Sequence, residues 1–502
     1  MKVYAALSAF AFAVLAWAAV WLGGLNQDEG WYLYAAQLVG DGKMPYRDFF
    51  YTQGPLMPLV YSAFSWCWKA EGLMGARVLT CLVGLASAVV AALTARLAAS
   101  GERKGAAGVV AFLLLGSNLY HVYYTSIPKT YALASLFVAV GYFLMLSALV
   151  RFGRRGAGAL LFASGLSLAF AAGTRISLGA LLAVCGFGLL AHCRTFRLGF
   201  LWFGLGGALG LALVYGPFLL DSSAFEGLCA AQRYHAARVG FDPVFTVGSV
   251  SRLVRWYTPL FVVLGLGVAG SFRGDCGEMR ADAARALALR LMAAGFAVVF
   301  AVQMLAPFPY EDYQVPVMGL LAVFAAVGFT AGCEPRTSDR RLLLVLGLAW
   351  ACAFGSPLLE SWMTNGQDRF WSRKKDKCEM AQLREMARVV DALDPGGKTL
   401  LTQDLYLAVE TQRSVPAGLE MGPFSILSDD GWRALLESAP CEVAALSGYT
   451  FAVNPPRCDE RPVERQLEFW DILKKNYELV LKEDDFGQNA TTLLVLRKKA
   501  LN

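Results

Sequence analysis

The sequence predicts a polytopic α-helical membrane protein of about eleven transmembrane helices, with a small α/β domain at its C-terminal end. Three observations carry that prediction. Apolar residues fill 56% of the 502 positions and charged residues only 17%, whereas a soluble domain carries about 25% charged residues. The mean hydropathy is +0.47, and the apolar residues gather in stretches of roughly 17–25, the length a helix needs to cross a hydrocarbon core about 30 Å thick. Beyond residue 357 the charges return, as in water-soluble material.

The first apolar run, 3–24, follows Lys2 and is too long for the core of a cleaved leader. No small-x-small site leads from it into a soluble domain, so it reads as a retained signal-anchor. Further runs lie at 74–99, 106–120, 129–150, 157–173, 176–192, 198–220, 255–270, 288–306, 314–331 and 341–357. Every second connection, at 101–105, 151–155, 192–197, 272–290 and 334–341, is rich in Arg and Lys. The positive-inside rule puts those connections and the N-terminus in the cytoplasm of an inner membrane. An odd number of spans then sends 358–502 outside, as a periplasmic domain. In it, 399–402, 450–453 and 492–496 read as strands and 377–392, 404–412 and 462–476 as helices. The expected division is therefore 1–357 in the membrane and 358–502 outside it, without internal repeats.

The net charge of +6 does not point to nucleic acid, because the basic residues sit in short loops where they fix topology. The eleven cysteines form no CxxC pair and have no histidine at ligand spacing, so they read as packing residues. Cys378, Cys441 and Cys458 leave room for one disulfide of open pairing. No phosphate-binding GxxxxGK[ST] loop, GxSxG elbow or HExxH helix occurs, which removes the usual signatures of nucleotide hydrolysis, serine esterases and zinc proteolysis.

Two long polar loops, 26–72 and 221–254, fall on the outer side with the tail, where a site would be built. The first opens with Asn26, Gln27, Asp28 and Glu29, continues through Tyr32 and Tyr34, and then carries Pro45, Tyr46, Arg47, Asp48, Phe49 and Phe50 ahead of Gly54 and Pro55. Two adjacent carboxylates where a helix leaves the bilayer are poor anchors, since Trp, Tyr and Lys do that at lower cost. A partly desolvated carboxylate suits the abstraction of a proton from an attacking hydroxyl. The plainer reading is a solvated helix-end pair.

Over residues 20–65 this pattern resembles the first outer loop of GT-C glycosyltransferases, the class that includes protein O-mannosyltransferases, aminoarabinose transferases and lipopolysaccharide-core galacturonosyltransferases. The resemblance is weaker to residue 357 and thin in the tail. It implies a GT-C fold and transfer of a sugar from a polyprenyl-phosphate donor, with inversion, to a hydroxyl of a glycan, lipid or protein. It also implies that Asp28 is the catalytic base, with Glu29 as neighbour or substitute. Which of the two acts stays open at this level.

A departing polyprenyl phosphate demands fixed positive charge, for which the arginine fork is best suited. Candidates on the outer side are Lys43, Arg47, Arg175, Arg233, Arg238, Arg252 and Arg255. Arg175 stands out because it lies among apolar residues on the side that positive charge avoids; snorkelling to headgroups is its alternative, and contact with anionic lipid is that of Arg233, Arg238, Arg252 and Arg255. Tyr46, Tyr310, Tyr313 and Gln314 are candidates to face the lipid carrier or substrate, the last three entering a span behind Pro307. A solvated acidic pair, Glu311 and Asp312, in an interfacial aromatic belt is the competing reading there. Some relatives place an acid or metal ligand near the position of His121; no acid stands beside it here, so no metal ligands are assigned and a divalent ion remains only a secondary option. A transporter or flippase of lipid-linked sugar would use the same basic surface without a base, but lacks support from repeat symmetry. A non-catalytic scaffold leaves the acidic pair unexplained.

Overall fold

The computed structural model of the chain describes residues 2–192, 196, 198–236, 241–273, 283–306, 309–331, 341–351, 378–425, 427–448, 450–454, 459–488 and 490–500. Its first half runs through α1 (Lys2–Leu22), α2 (Gln27–Gly40), α3 (Leu56–Ser62), α4 (Trp66–Ala98), α5 (Lys104–Gly116), α6 (Leu119–Tyr124), α7 (Thr130–Val150) and α8 (Ala157–Thr174). Among the described residues seven helices are long and apolar enough to cross a bilayer: α1, α4, α7, α8, Gly199–Leu220, Ala283–Met304 and Glu311–Ala331. The protein is a multi-pass membrane protein. Large apolar side chains such as Trp17, Leu82, Leu93, Leu205 and Leu213 stand exposed on these helices, the surface that lipid rather than water would cover.

All eleven expected runs contain helix; among the described residues the apolar helices shorter than the seven are α5, Ile176–Ala191, Thr258–Arg273 and Arg341–Ala351, the last bordered by residues outside those described. The 13 residues of α5 rise about 20 Å, less than a hydrocarbon core of about 30 Å. Hydropathy counts apolar loop residues with helical ones. Here Asn118 divides the run, its side chain accepting from the His121 amide to start α6.

The first loop and the tail share one apolar core. Trp31, Tyr32, Leu33 and Tyr34 of α2 pack in the same cluster as Met380, Leu405, Tyr406 and Leu407. This explains why α2 buries nearly every residue without an amphipathic pattern. At Gly30 the approach is so close that a Cβ would lie 2.3 Å from the Tyr406 nitrogen, which only glycine permits. Hydrogen bonds reinforce the contact. The Leu25 amide donates to Glu379 Oε2 at 2.5 Å, Gln27 to Gln488 Oε1 at 2.6 Å and Leu73 to Glu410 Oε2 at 2.8 Å, while the Val415 amide donates to the Tyr34 hydroxyl at 2.9 Å.

The tail holds a three-stranded antiparallel sheet in the order β1 (Val443–Ser447), β5 (Thr491–Lys498), β4 (Tyr477–Phe486), with a separate two-stranded pair of β2 (Val453–Asn454) and β3 (Asp459–Glu460). Helices Glu379–Leu393, Leu405–Glu410 and Val463–Asn476 match the three expected. Of the expected strands, 492–496 lies inside β5, 450–453 reaches strand only at Val453, and 399–402 contributes isolated bridges at Thr399 and Leu401. The sheet is instead completed by β1, an alanine-containing strand buried along its whole length, and by β4, which carries charges because much of it faces solvent. Asp429–Ser438 is a further helix, capped by the Ser428 hydroxyl accepting from Gly431. The expected boundary at 357/358 lies outside the described residues. Cys378 and Cys441 are free thiols, and Cys458 also lies outside the described residues.

Candidate active site

The exit of α1 is fixed by a buried ion pair. Arg77, inside α4, grips Glu29 with two charge-assisted bonds, Nε to Oε2 and Nη2 to Oε1, both 2.7 Å. Its remaining N–H groups donate to the carbonyls of Val20, Gly23 and Gly24. All five donors of the guanidinium are therefore used, and both side chains are fully enclosed. Glu29 Oε1 also accepts from the Asn26 amide at 2.9 Å, closing a capping box at the start of α2. Glu29 is thus a structural residue, and the geometry does not suit it as a substitute base: its carboxylate is committed to Arg77 and the cap.

Asp28, one residue earlier, meets different surroundings. Its amide donates to Asn26 Oδ1 at 3.1 Å, while its carboxylate, 32% exposed, lies 2.8 Å from Lys129 Nζ. Lys129, in the hairpin before α7, is buried and also reaches Asp312 Oδ2 at 3.3 Å. The Tyr131 hydroxyl donates to the same Asp312 oxygen at 2.8 Å. The Lys129 ammonium further lies 5.3 Å and 5.0 Å from the ring centres of Tyr124 and Tyr131. The two carboxylates supply the counter-charge that a buried ammonium requires.

Arg175 completes the cluster. The helix α8 ends at Thr174 and Arg175 takes an extended conformation. That turn is pressed against the first loop, where a Cβ at Gly54 would lie 2.2 Å from the Gly173 carbonyl oxygen. The guanidinium is held by two rings, 4.9 Å from Tyr131 and 4.7 Å from Tyr313. Nη1 donates to Thr130 Oγ1 at 3.2 Å, and the buried Nε has no protein partner. A side chain only 8% exposed and clasped by aromatic rings is not snorkelling.

The other expected residues divide around this cluster. Tyr313 is part of it, and the neighbouring Gln314 is buried with neither amide atom bonded to protein. Tyr310 is exposed and packs edge-on against Phe245 and Tyr313. Arg252 pairs with Glu311 at 3.1 Å, and Arg255 lies half-buried over the Trp256 ring at 5.0 Å. Lys43 and Arg233 are exposed. Arg47 is exposed too and is taken up by Asp48 at 2.9 Å and Asp221 at 3.5 Å, holding the Asp48 carboxyl down to about 2. Tyr46 is a core residue rather than a carrier-facing one: it is buried, packs against Phe218, and its hydroxyl donates to the Gln53 carbonyl. Arg238 lies outside the described residues. His121 bonds through Nδ1 to the Tyr257 hydroxyl at 3.0 Å and lines a small cavity with Ser87, Ser135 and Tyr142.

Sequence reasoning missed Arg77 and Lys129 and gave Asp312 no role of its own within the motif read as facing the carrier, with a solvated pair as the alternative. The signals were present. A charge inside an apolar run marks Arg77, and the rule that singles out Arg175, a basic residue on the outer side, applies equally to Lys129.

A membrane helical bundle with a small sheet domain seated on its first loop has the GT-C class fold, which it shares with solved structures. The chain is similar over nearly its full length to ArnT from Cupriavidus metallidurans bound to undecaprenyl phosphate, at 13% identity, covering 98% of this chain and 97% of that one with a TM-score of 0.61. The apo state of the same protein aligns at 15% identity, 98% of each chain and a TM-score of 0.63. An oligosaccharyltransferase from Archaeoglobus fulgidus in complex with Zn and sulfate is similar at 12% identity, covering 97% of this chain and 72% of that one, with a TM-score of 0.53. No family model matches the chain, and no curated protein matches it.

The zinc in that last neighbour raises the question whether this cluster fits a metal. Among the described residues no three His, Cys, Asp or Glu side chains gather where they could hold one. The two carboxylates that do converge, Asp28 and Asp312, converge on the ammonium of Lys129. The donor set does not fit a divalent ion.

Proposed function

We propose that this protein is an inverting glycosyltransferase that moves a sugar from a polyprenyl-phosphate carrier to an acceptor hydroxyl, on the outer face of an inner membrane. The acceptor is a glycan, lipid or protein. The observation that carries this reading is Asp28, a partly open carboxylate paired with the buried Lys129, which shares the Tyr131 ring with the buried Arg175. A solvated helix-end acid would not need a buried cation beside it.

The chemistry follows from those groups. The acceptor oxygen attacks the anomeric carbon and its proton passes to the Asp28 carboxylate. The bond between that carbon and the phosphate oxygen breaks, and the carrier leaves as a phosphate with one more negative charge. Arg175, preorganised by Tyr131, Tyr313 and Thr130, offers fixed positive charge to that phosphate without reorganising. Its free Nε and the unbonded amide of Gln314 are donors suited to phosphate or sugar oxygens. The undecaprenyl phosphate bound by a neighbour of the same fold agrees with this donor class, as an analogy of fold. Lys43, Arg47 and Arg233 are better suited to lipid headgroups or solvent than to the leaving phosphate.

The test is transfer from a synthetic polyprenyl-phosphate sugar by the purified wild type and by Asp28→Asn. The wild type turns over, and the variant is slower by about 10²–10⁴-fold. Equal turnover in both would remove Asp28 as base. A wild type silent with every donor would instead favour transport of the lipid-linked sugar.

A further inference from the structure

Lys129 occupies the point on which two carboxylates from distant parts of the chain converge. Asp28 comes from the start of α2 and Asp312 from the first turn of the span Glu311–Ala331. Both are within ion-pair reach of one Nζ, at 2.8 Å and 3.3 Å. Two carboxylates brought this close repel each other unless a cation lies between them. Proteins commonly meet that need with a bound divalent ion. Here the cation is covalently part of the chain, 4% exposed, with the rings of Tyr124 and Tyr131 against it.

Resting on the transferase reading above, we infer that Lys129 is the resident cation of the site, doing between Asp28 and Asp312 what a divalent ion would do, so that transfer by this protein needs no divalent metal. The charge balance gives the arrangement a further use. Before reaction the two carboxylates are matched by Lys129 and Arg175. When Asp28 takes the acceptor's proton it becomes neutral, and Lys129 loses one of its two counter-charges. The cluster thereby gains a net positive charge in the same step in which the departing phosphate gains a negative one. No proton has to leave Lys129, and the attraction between Asp28 and Lys129 becomes available to the phosphate only as the bond to the sugar breaks, which is the condition for stabilising the transition state over the ground state.

The inference is tested on the full-length protein in detergent with Mn²⁺ as the probe, read by electron paramagnetic resonance, and with turnover measured in parallel. Wild type should bind no Mn²⁺ at this site and should keep its rate in excess EDTA. Lys129→Glu replaces the ammonium with a third carboxylate and should acquire an Mn²⁺ site that is lost again when Asp312→Asn is added. Lys129→Met should slow metal-free transfer by about 10²–10³-fold. Mn²⁺ bound by wild type and released by Asp28→Asn, or a rate abolished by EDTA and restored by Mn²⁺, would overturn the inference. A folded Lys129→Glu protein that binds no Mn²⁺ would do the same. Should Lys129→Glu fail to fold, the wild-type resonance and EDTA measurements decide alone. A wild type without turnover on any donor defeats the transferase reading, and the Mn²⁺ resonance of wild type still judges the resident cation.

Discussion

Asp28 and Glu29 follow one another on the first turn of α2 and each faces a basic side chain, yet the two pairs are built differently. Glu29 and Arg77 have 0% side-chain exposure, and every donor of the arginine is used. Asp28 keeps 32% exposure and shares its lysine with a second carboxylate. A saturated buried pair has no capacity left for a ligand, and its loss is felt as stability. A partly open pair whose cation is divided between two acids can change partners during a reaction. Residue type and position along the chain do not separate these roles; enclosure and saturation do.

Four substitutions sharpen or break the contrast. The largest effect is expected at Asp28, where Asn lowers turnover by about 10²–10⁴-fold while the melting temperature in detergent stays close to wild type. A variant that unfolds instead would make Asp28 a structural residue like its neighbour. Next is Arg77→Met, which strands the Glu29 charge and should cost about 3–5 kcal/mol of stability, seen as reduced folded yield. Replacing both partners with leucine should recover much of that loss; no recovery would mean that the guanidinium is needed for its bonds to the end of α1. Arg175→Lys keeps the charge but removes the planar fork between two rings, and donor KM should rise about tenfold or more. An unchanged KM would take Arg175 out of phosphate binding. The smallest effect belongs to Arg47→Ala, where an exposed pair is lost and transfer should change less than about twofold; a collapse of activity there would move the donor site outward to the first loop.

The tail enters the same contrast. Gln488 and Glu379 receive the backbone amides of Gln27 and Leu25, immediately before Asp28. Gln488→Ala should therefore reduce turnover modestly, by up to about tenfold, one hydrogen bond being worth about 0.5–1.5 kcal/mol. Saturating donor should leave that deficit in place, since the bond positions Asp28 rather than the carrier. Full recovery at high donor would show the contact to be a binding one.

Much of this architecture was legible in the chain. Every expected apolar run contains helix, three tail helices lie near their expected bounds, and the first loop is marked in the sequence by its acids. The misses have physical causes. The run at 106–120 is divided because hydropathy counts loop residues such as Asn118 alongside helical ones. The strands β1 and β4 were missed because one is short and alanine-containing while the other is charged and largely solvent-facing. Tyr46 looked available for a substrate because aromatic residues in outer loops often are, but Tyr51 and Phe218 pack against it and it is buried. Arg77 was hidden by the hydrophobic average of its own helix.

The sequence by itself determined that this is a multi-pass helical membrane protein with a water-soluble tail, because hydropathy and charge bias are sums over local composition. It did not determine which acid is open, which cations are buried with it, or that the tail holds the first loop. Those depend on pairings between residues far apart, such as Glu29 with Arg77 across 48 positions and Lys129 with Asp312 across 183. A pairing energy depends on distance and on how far water is excluded, and both are set only when the chain has folded.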